Sequence, residues 1–450
     1  MNLDTDLLII GAGPTGLAAG VDALRHGLTV RLVEQRTERA MLSKALVVHA
    51  RTMEVFEAQG IARQVEAKGQ KFRALNVRPV RDMRPIRIDL LERPWGDTRY
   101  GCWLSAPQYD VEQVLEERFT SLGGRVEWGR ALEALVQHDD HVEATVGGQV
   151  HRARWVLACD GGRSTARGLV GLELPREGLG VTFALTDVWT KSDLVEDEGN
   201  VVLGRDGVLL IVPMPEPGVW RLIAQVRPDF DPASLDAWAA LVRERAGFDL
   251  QLQKLGWNSR FDLTGGVATA FRKDRVFLLG DAAHVHSPVG GQGLNTGVQD
   301  ANNLVWKLAL VTRGVVQGAD ADRLLDSYER ERRPIAQNMV RMTTFATRVL
   351  TLKNAVLRFV RSTLGRLVVR TPLFQNQLSR RVGMLDLENA GNRRLENPAL
   401  PDGRRLHDVL HPLKPTLLSW QGRQVLVRPD RIIASDALVS DAIAERVEVR

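Results

Sequence analysis

The chain has 450 residues, which is long enough for two or three domains that each bury their own core. Hydrophobic residues make up 44% and charged residues 26%, a composition that excludes a mostly disordered chain or a fibrous repeat. The 60 Lys and Arg against 55 Asp and Glu leave a net charge of +5, which is too small at this length to indicate nucleic-acid binding.

The two cysteines, Cys102 and Cys159, lie far apart and have no zinc-type spacing around them, so we expect neither a disulfide framework nor a metal site. The first apolar run, Leu7–Ile10, is too short for the core of a signal peptide. The sequence has no run of 18 apolar residues and predicts no membrane-spanning helix. We therefore expect a cytoplasmic protein without an integral membrane partner, and either a monomer or a homodimer.

The chain begins with a pattern typical of a nucleotide-binding unit. Asp6–Ile10 predicts a buried strand, Gly11–Gly16 opens a helix, and Thr29–Val33 predicts a second strand that ends at Glu34. The Gly-x-Gly-x-x-Gly turn lets the backbone approach a pyrophosphate at the helix N-terminus, and Glu34 can accept hydrogen bonds from a ribose. The pattern does not distinguish FAD from NAD. The residues assigned to this site are Gly11, Gly13, Pro14, Thr15, Gly16, Glu34, Gln35 and Arg36.

The middle of the chain has the pattern of an antiparallel sheet. Between Ala74 and Trp103 the helical period is lost, and Val181–Val226 runs apolar in short bursts between turn-forming clusters. A helix is predicted over Tyr109–Leu122 and a buried strand over Trp155–Cys159. We therefore predict a second, mostly antiparallel domain that is inserted into the first.

A second glycine-rich motif follows a third predicted strand, Val276–Leu279. Asp281 comes directly after this strand, where a carboxylate can accept hydrogen bonds from the ribityl hydroxyls of a flavin. The glycines let backbone lie against a flat ring, and a helix that begins near Gly293 can stabilise the negative charge of a reduced flavin. The residues assigned here are Gly280, Asp281, Pro288, Gly290, Gly291, Gly293, Leu294 and Asn295, of which Pro288, Gly291 and Asn295 are the predicted catalytic positions.

The C-terminal third is basic and then rich in turns. Between Arg332 and Leu385 no acidic residue occurs, while arginines recur through an otherwise apolar helical stretch. Such a helix can bind a membrane surface or a partner, or it can pack on its own domain with its arginines reaching solvent, which is the interpretation we favour. A turn-rich linker after Pro398 leads to a short predicted strand, Gln424–Val427.

Together these motifs resemble the class A flavoprotein monooxygenases, the p-hydroxybenzoate hydroxylase-like family of aromatic hydroxylases. The resemblance covers nearly the whole chain and is greatest to the branch that oxidises polycyclic polyketides and rifamycin-type antibiotics. It implies an α/β fold, with a Rossmann-like FAD-binding domain, an inserted, mostly antiparallel substrate-binding sheet, a helical C-terminal region and a truncated thioredoxin-like remnant. The predicted bounds are 1–73, 104–178 and 268–340 for the FAD-binding domain, 74–103 and 179–267 for the sheet, 341–397 for the basic helical segment and 398–450 for the remnant.

The resemblance also implies further cofactor contacts. The family's middle Asp-Gly motif, matched by Asp160-Gly161-Gly162-Arg163, serves both FAD and the passing nicotinamide nucleotide and implicates Asp160, Gly161, Arg163 and Arg167. Taken alone, Asp160-Gly161 is equally typical of a simple turn. In the family an Arg-Thr-x-Glu run and a Gln before a helix grip FAD, which implicates Arg51 and Gln108. Lys44 stands where a subset of the family has Arg, although a surface lysine is the simpler interpretation.

The implied reaction uses FAD, NADPH or NADH as the transient electron donor, and O₂ as co-substrate. In the family the reduced flavin forms a C4a-hydroperoxide that delivers one oxygen atom to an electron-rich ring. Phenol hydroxylases carry an Asp-Gly where this chain has Leu46-Val47, which argues against a small simple phenol. The expected substrate wall consists of Leu46, Trp103, Val212, Met214 and Gly290, and a core role is as plausible for Trp103, Val212 and Met214.

Other functions stay open at this point. A reductase, dehydrogenase or halogenase can use the same fold, although the Trp-x-Trp-x-Ile-Pro run of halogenases does not occur. A flavin-free protein that sequesters a flat drug would have no need of the glycine motifs. His49, His284 and His286 can each assist proton movement, and for His284 we favour a packing role.

Overall fold

The computed structural model describes residues 3–41, 45–78, 85–91, 95, 97–204, 207–246, 250–287, 290–351, 354, 367–386, 388–420, 423–434 and 444–449. The helices are α1 (Pro14–Arg25), α2 (Ala50–Gln59), α3 (Ala62–Ala67), α4 (Gln108–Ser121), α5 (Thr165–Leu169), α6 (Leu235–Ala246), α7 (Gln292–Thr312), α8 (Gly318–Leu350) and α9 (Pro372–Val382).

The strands of the described residues fall into five sheets. In chain order they are β1 (Thr5–Ile10), β2 (Val30–Glu34), β3 (Val47–Val48), β4 (Gln70–Lys71), β5 (Ala74–Arg78), β6 (Ile86–Asp89), β7 (Leu104–Ser105), β8 (Val126–Trp128), β9 (Leu132–Gln137), β10 (Val142–Val146), β11 (Gln149–Ala158), β12 (Arg176–Lys191), β13 (Glu198–Gly204), β14 (Gly207–Pro213), β15 (Val219–Val226), β16 (Gln251–Val267), β17 (Arg272–Lys273), β18 (Val276–Leu278), β19 (His284–Val285), β20 (Glu388–Asn389), β21 (Asn392–Arg393), β22 (Thr416–Trp420), β23 (Arg423–Val427) and β24 (Glu445–Val449).

The first sheet is the nucleotide-binding sheet that the sequence predicts. Its strands run β17-β18-β11-β1-β2-β8, and the hairpin β9–β10 extends it from β11. The pairs β1–β2, β1–β11, β2–β8 and β11–β18 are parallel. Leu7, Leu8 and Ile9 are fully buried, as expected for a parallel strand that is covered on both faces. The predicted βαβ unit is therefore confirmed, with bounds that differ by one residue from the expected strands.

The second sheet is the mostly antiparallel sheet expected from the middle of the chain. Its order is β19-β16-β12-β15-β14-β13-β5-β6, and β13–β5 is its one parallel pair among the described strands. A separate apolar core around Trp220 and Trp238 joins this sheet to α6. Its edge strand β19 begins three residues after Asp281 and pairs with β16, so the second sheet extends to the second glycine-rich motif. The division into domains by residue number stays a prediction.

The C-terminal end of α8, from residue 341 onward, and the whole of α9 fall within the predicted basic helical segment. Thr343 and Thr347 of α8 are buried, and the Thr347 hydroxyl donates to Ser287 Oγ at 3.0 Å. Arg348 pairs with the exposed Glu177 at 2.9 Å. These contacts favour packing on the chain's own domain, while Lys353, Arg358, Arg361 and Arg366 lie outside the described residues. None of the described helices is long and apolar enough to cross a membrane.

The last part of the chain forms a small three-stranded sheet, β23-β22-β24, over a core that includes Leu395, Leu406 and Leu418. It is held to the rest of the protein by buried ion pairs. Arg394 bonds to both carboxylate oxygens of Glu54 on α2. Sequence patterns did not reveal this attachment, because each charge lies in a different segment of the chain.

Candidate functional site

The three glycine-containing motifs meet at the carboxyl ends of β1, β11 and β18. A Cβ atom on Gly11, which has φ +101°, would lie 2.5 Å from the Cys159 carbonyl oxygen. A Cβ on Gly280, with φ +57°, would lie 2.6 Å from Thr15 Oγ1. Glycine is therefore required at both positions, since the backbone conformation and the close approach each exclude a side chain. The fold thus brings Gly11–Gly16, the Cys159-Asp160 turn and the Gly280 turn to one edge of the sheet.

The N-terminus of α1 is open at Gly13, its N-cap residue. No side chain caps this helix end, and Pro14 occupies its first turn, where its missing N–H costs nothing. A Cβ placed on Gly13 would have no protein atom within 4 Å among the described residues. The space beside Gly13 and the partial positive charge of the helix end suit a pyrophosphate.

Glu34 lies beside this helix end. Its carboxylate accepts hydrogen bonds from the backbone N–H of Ala12 at 2.9 Å and from Arg36 Nε at 3.0 Å. Burial alone would raise the pKa of Glu34, but these hydrogen bonds outweigh it and hold the pKa below its usual value. Glu34 is therefore ionised and suited to accept hydrogen bonds, while Gln35 and Arg36 are exposed next to it.

Gln108, the first residue of α4, lies close to the same group. Its side-chain amide donates to Glu112 at 2.8 Å. Burial raises the pKa of Glu112 to about 7, and the charges of Arg36, Arg39 and Glu34 all act on it. Glu112 therefore connects Gln108, through a hydrogen bond, to the charges of Glu34 and Arg36. A grip of Gln108 on FAD stays a prediction.

Asp160 caps a helix in this structure. Its carboxylate accepts hydrogen bonds from Ser164 Oγ at 2.6 Å and from the Ala166 N–H at 3.0 Å, at the start of α5. Gly161 has φ +79°, as the turn interpretation expects, and Arg163 is exposed. Roles of these three residues toward FAD or a nicotinamide nucleotide stay predictions.

Arg167 connects the middle motif to the second glycine-rich motif. Its guanidinium donates to the carbonyl oxygens of Ala282 at 2.9 Å and Gly162 at 3.0 Å. Arg167 therefore links the two turns through hydrogen bonds, a contact that the resemblance alone did not suggest.

Asp281 projects from the turn that precedes β19. It is exposed, and the described residues offer it no hydrogen bond or ion pair. Gly293 faces it, because a Cβ there would lie 4.0 Å from Asp281 Oδ1.

Gly290 and Gly291 have φ +83° and +64°, and α7 begins at Gln292, one residue before the predicted start. Pro288 and Lys44, both assigned from the sequence, lie outside the described residues.

Asn295 holds this loop in place. Its side chain is fully buried, accepts a hydrogen bond from the His49 N–H at 2.9 Å, and donates to the carbonyl oxygens of Val47 at 2.8 Å and Gly291 at 2.7 Å. Both ends of the amide are therefore occupied by protein groups. This geometry supports a positioning role for Asn295, and its catalytic assignment, like that of Gly291, stays a prediction.

His49 lies between the loop and the second sheet. Its Nε2–H donates to the Gly290 carbonyl at 2.7 Å, which leaves Nδ1 as an acceptor. Nδ1 is buried and has no partner among the described residues. Burial lowers the pKa of His49 to about 4, so the ring is neutral near pH 7. Its ring packs edge to face on Trp103, with centroids 5.9 Å apart.

The expected substrate-wall residues lie together. Leu46 and Met214 belong to one buried apolar cluster, and Val212 packs against it. Trp103 and Val212 also pack against a neighbouring cluster around Phe72. Leu46, Trp103, Val212 and Met214 are thus brought to the side of the loop on which His49 contacts Gly290. Their role as a substrate wall stays a prediction.

Arg51 points away from the loop. Its guanidinium donates to Glu54 Oε2 at 3.0 Å and to the Asp430 carbonyl oxygen in the C-terminal part of the chain. The side chain is buried, so its described donors face protein acceptors. A contact of Arg51 with FAD stays a prediction that these bonds do not favour.

Sequence reasoning missed Asp300 on α7. Its carboxylate accepts hydrogen bonds from the Gly280 N–H at 3.1 Å, His284 Nε2 at 2.7 Å and Arg332 Nε at 2.7 Å. Burial alone would raise the pKa of Asp300, but Arg332 and His284 outweigh it and lower the pKa. The packing interpretation of His284 is therefore the one that the geometry supports. The sequence signal that could have revealed Asp300 is its charge, because it lies among the apolar positions that recur with the helical period of α7.

Comparison with known proteins assigns the chain to a family. The model of the family described as FAD binding domain matches residues 4–343. The chain is 36% identical over 364 residues to a 6-methylpretetramide 4-monooxygenase of Streptomyces rimosus, with 78% of this chain and 63% of that protein covered, so it spans less than two thirds of that relative. It is 34% identical over 438 residues to a rifampicin monooxygenase of Streptomyces venezuelae, covering 93% and 88% of the two chains.

A solved structure agrees with these relatives. The anhydrotetracycline hydroxylase of Streptomyces rimosus superimposes with a TM-score of 0.77 at 29% identity, over 96% of this chain and 95% of that one. The relatives that match along the chain are thus named as monooxygenases or hydroxylases, and the family model that matches is that of an FAD-binding domain, as the sequence motifs indicated. The chain belongs to the FAD-binding domain family of flavin-dependent aromatic monooxygenases.

Proposed function

We propose that this flavin-dependent monooxygenase hydroxylates a bulky, polycyclic aromatic substrate of the polyketide or antibiotic type. It would use FAD, NADPH or NADH, and O₂. The observation that carries the proposal is the contact of His49 with both Gly290 and Trp103, because it joins the glycine-rich loop to the apolar wall of the second sheet. The relatives named above act on tetracycline precursors or rifampicin, molecules of this size.

The residues present suit FAD. The open helix end at Gly13 would hold the pyrophosphate, the ionised Glu34 the adenosine ribose, and the exposed Asp281 the ribityl chain. The N–H groups of Gly293 and Leu294 at the start of α7 would face the ring. Bound FAD would supply the redox chemistry of the site, in which a nicotinamide nucleotide is the hydride donor, one oxygen atom of O₂ enters the substrate and the other leaves as water.

The chain's own residues would position the substrate and exclude water. Leu46, Val212 and Met214 give an apolar wall that matches fused aromatic rings, and the family's Asp for small phenols is replaced by Leu46. The neutral His49 offers Nδ1 as the acceptor for a substrate hydroxyl group. The bond from His49 Nε2–H to the Gly290 carbonyl would hold this ring against the loop.

Finer features of the assignment belong to the same proposal. We infer that the FAD-binding domain comprises residues 1–73, 104–178 and 268–340, and that the small C-terminal sheet is a shortened thioredoxin-like unit. We also infer a cytoplasmic monomer or homodimer that binds no nucleic acid. The halogenase, reductase and flavin-free alternatives find no support among the relatives, which are named as monooxygenases.

The decisive experiment combines flavin analysis with isotope labelling. The purified protein should be yellow and contain about one FAD per chain. A panel of tetracycline precursors, angucyclines and rifamycins, with p-hydroxybenzoate as the small-phenol control, would be screened for stimulated NAD(P)H oxidation under ¹⁸O₂. We expect one ¹⁸O atom in the product of a polycyclic member. NAD(P)H oxidation without ¹⁸O in any product would instead indicate a reductase, and a protein that binds no FAD would overturn the proposal.

A further inference from the structure

The hairpin β9–β10 carries two histidines and a glutamate that the flavin site does not use. His138 and His141 close the turn of this hairpin, since the His138 N–H donates to the His141 carbonyl at 2.8 Å. Glu143 follows on β10, so the spacing is His-x-x-His-x-Glu. The hairpin extends the edge of the first sheet beyond β11. We propose that His138, His141 and Glu143 bind one divalent transition-metal ion, with Zn²⁺ as the reference ion.

The three side chains converge. The imidazole rings stack with centroids 4.5 Å apart and an angle of 13° between their planes. His138 Nε2 lies 3.7 Å from Glu143 Oε2, and His141 Nε2 lies 3.9 Å from Glu143 Oε1. One ligand atom of each residue lies within 4.8 Å of the others. Ligands about 2.1 Å from a tetrahedral Zn²⁺ are about 3.4 Å apart, so the two His–Glu distances are already close to those of a metal site. One imidazole must turn out of the stack on binding, because the ion has to lie in the plane of both rings.

His141 is prepared for a ligand. Its side chain is 5% exposed, and its Nε2 is buried without a hydrogen-bond partner among the described residues. The other ring nitrogen, Nδ1, donates to Asp140 Oδ1 at 2.6 Å, so the lone pair lies on Nε2. A carboxylate behind a histidine in this way fixes its tautomer and raises its basicity toward a metal. A buried acceptor with no partner is unfavourable, and a metal ion would satisfy it.

The ionic contacts around the cluster leave one carboxylate oxygen of Glu143 available to a cation. Arg152 bonds to Glu143 Oε1 through Nε and Nη2, both at 2.9 Å, which leaves Oε2 toward His138. Arg275 donates to the Asp139 carbonyl at 2.9 Å and anchors the turn. Two imidazoles and one carboxylate select Zn²⁺, Ni²⁺ or Cu²⁺ over Mg²⁺ and Ca²⁺, and a water molecule would occupy the fourth position.

The test uses untagged, FAD-loaded protein that a chelator has stripped of metal. Zn²⁺ is titrated against a chromogenic chelator, with Mg²⁺ as the negative control. We expect one high-affinity equivalent in the wild type and at least a tenfold weaker affinity in His141→Gln and in His138→Gln. Asp140→Asn should weaken binding about tenfold through the lost support of His141. Asp139→Asn, in the same turn but outside the ligand set, should bind nearly as the wild type does.

Circular dichroism and flavin content show whether each variant is folded. Co²⁺ gives a second readout, because a tetrahedral site adds absorption bands at longer wavelengths than those of flavin, and His141→Gln should lack them. Wild-type protein without a Zn²⁺ equivalent, or histidine variants that bind Zn²⁺ as tightly as the wild type, would overturn the proposal. Neither result depends on hydroxylase activity.

Discussion

The guanidinium of Arg428 and the carboxylate of Glu331 form a bidentate ion pair, with Nη1–Oε1 at 2.8 Å and Nη2–Oε2 at 2.7 Å. Both side chains are about 3% exposed. Arg428 follows β23 in the small C-terminal sheet, whereas Glu331 lies on α8. The ion pair therefore attaches the C-terminal sheet to α8. Lys307 of α7 lies 3.2 Å from the same carboxylate.

We expect Arg428→Met to destabilise the protein by about 3 kcal/mol, because it leaves the carboxylates of Glu331 and Asp430 buried with too few partners. Urea unfolding followed by tryptophan fluorescence measures the change. Arg404→Met is the matched control, since its pair with Asp402 is exposed and such pairs contribute little to stability. Equal unfolding midpoints in the two variants would contradict the buried attachment.

Acid should weaken the same attachment. Burial alone would raise the pKa of Glu331 and Glu54, but their cationic partners outweigh it and lower both pKa values to about 2. Because these pKa values lie below the usual 4.5, the stabilisation is complete above about pH 4.5 and is lost as the pH falls toward 2. We therefore expect the urea concentration at the unfolding midpoint to decrease as the pH is lowered from 4.5 to 3. Glu331→Gln should be less stable at pH 7 and show a flatter dependence on pH in this range.

Gly13→Val should lose FAD while it keeps its fold. A Cβ at this position meets no protein atom within 4 Å among the described residues, so only a bound pyrophosphate would collide with the new side chain. We expect at least a tenfold drop in flavin content and a circular dichroism spectrum like that of the wild type. The exposed Gly168 is the control, because a Cβ there also meets nothing within 4 Å. Gly168→Val should stay yellow.

Asp281→Ala is expected to purify with little FAD, because the variant removes an exposed carboxylate that faces Gly293. The affinity should fall about tenfold or more, the equivalent of a charge-assisted hydrogen bond worth about 1.5 to 3 kcal/mol. Titration of the apoprotein with FAD, followed by flavin fluorescence, gives the dissociation constant. Asp193→Ala removes an exposed carboxylate of the substrate sheet region and should bind FAD normally. Full flavin occupancy in Asp281→Ala would show that the assignment is wrong.

His49→Phe should retain FAD but couple NAD(P)H oxidation to hydroxylation less well. The variant loses the hydrogen bond to Gly290, which is worth about 1 kcal/mol, and the yield of product per NAD(P)H should fall about fivefold with release of peroxide. His49→Gln should recover much of the coupling, because its amide can donate to the same carbonyl. Since the pKa of His49 is about 4, the wild-type profile should show no inflection from this group between pH 6 and 9.

The sequence predicted those parts of the fold that local patterns determine. The β1–α1–β2 unit, the turn at Gly280 and the start of α7 follow from apolar runs and glycine spacing, and the structure has them within one or two residues. The motifs also identified the family. Asp300 was missed because its partners, His284 and Arg332, are distant in the chain and no period connects them.

The same limit explains Arg51. A family motif proposes a ligand for it, but the competing acceptor comes from Asp430 in a distant segment, which no local rule can reveal. Asp160 illustrates a different limit. One short motif is compatible with a helix cap and with a ligand, and only the bonds to Ser164 and Ala166 show that the carboxylate caps α5.

The amide of Asn295 ties the Val47 and Gly291 backbones and the His49 N–H to one rigid frame. A change at Asn295 would therefore disturb three backbone segments at once. Laboratory evolution toward new substrates should accordingly accumulate changes at Met214 and Val212, which belong to the proposed substrate wall. Variants with a replacement at Asn295 should be lost from such libraries under selection for activity on any substrate.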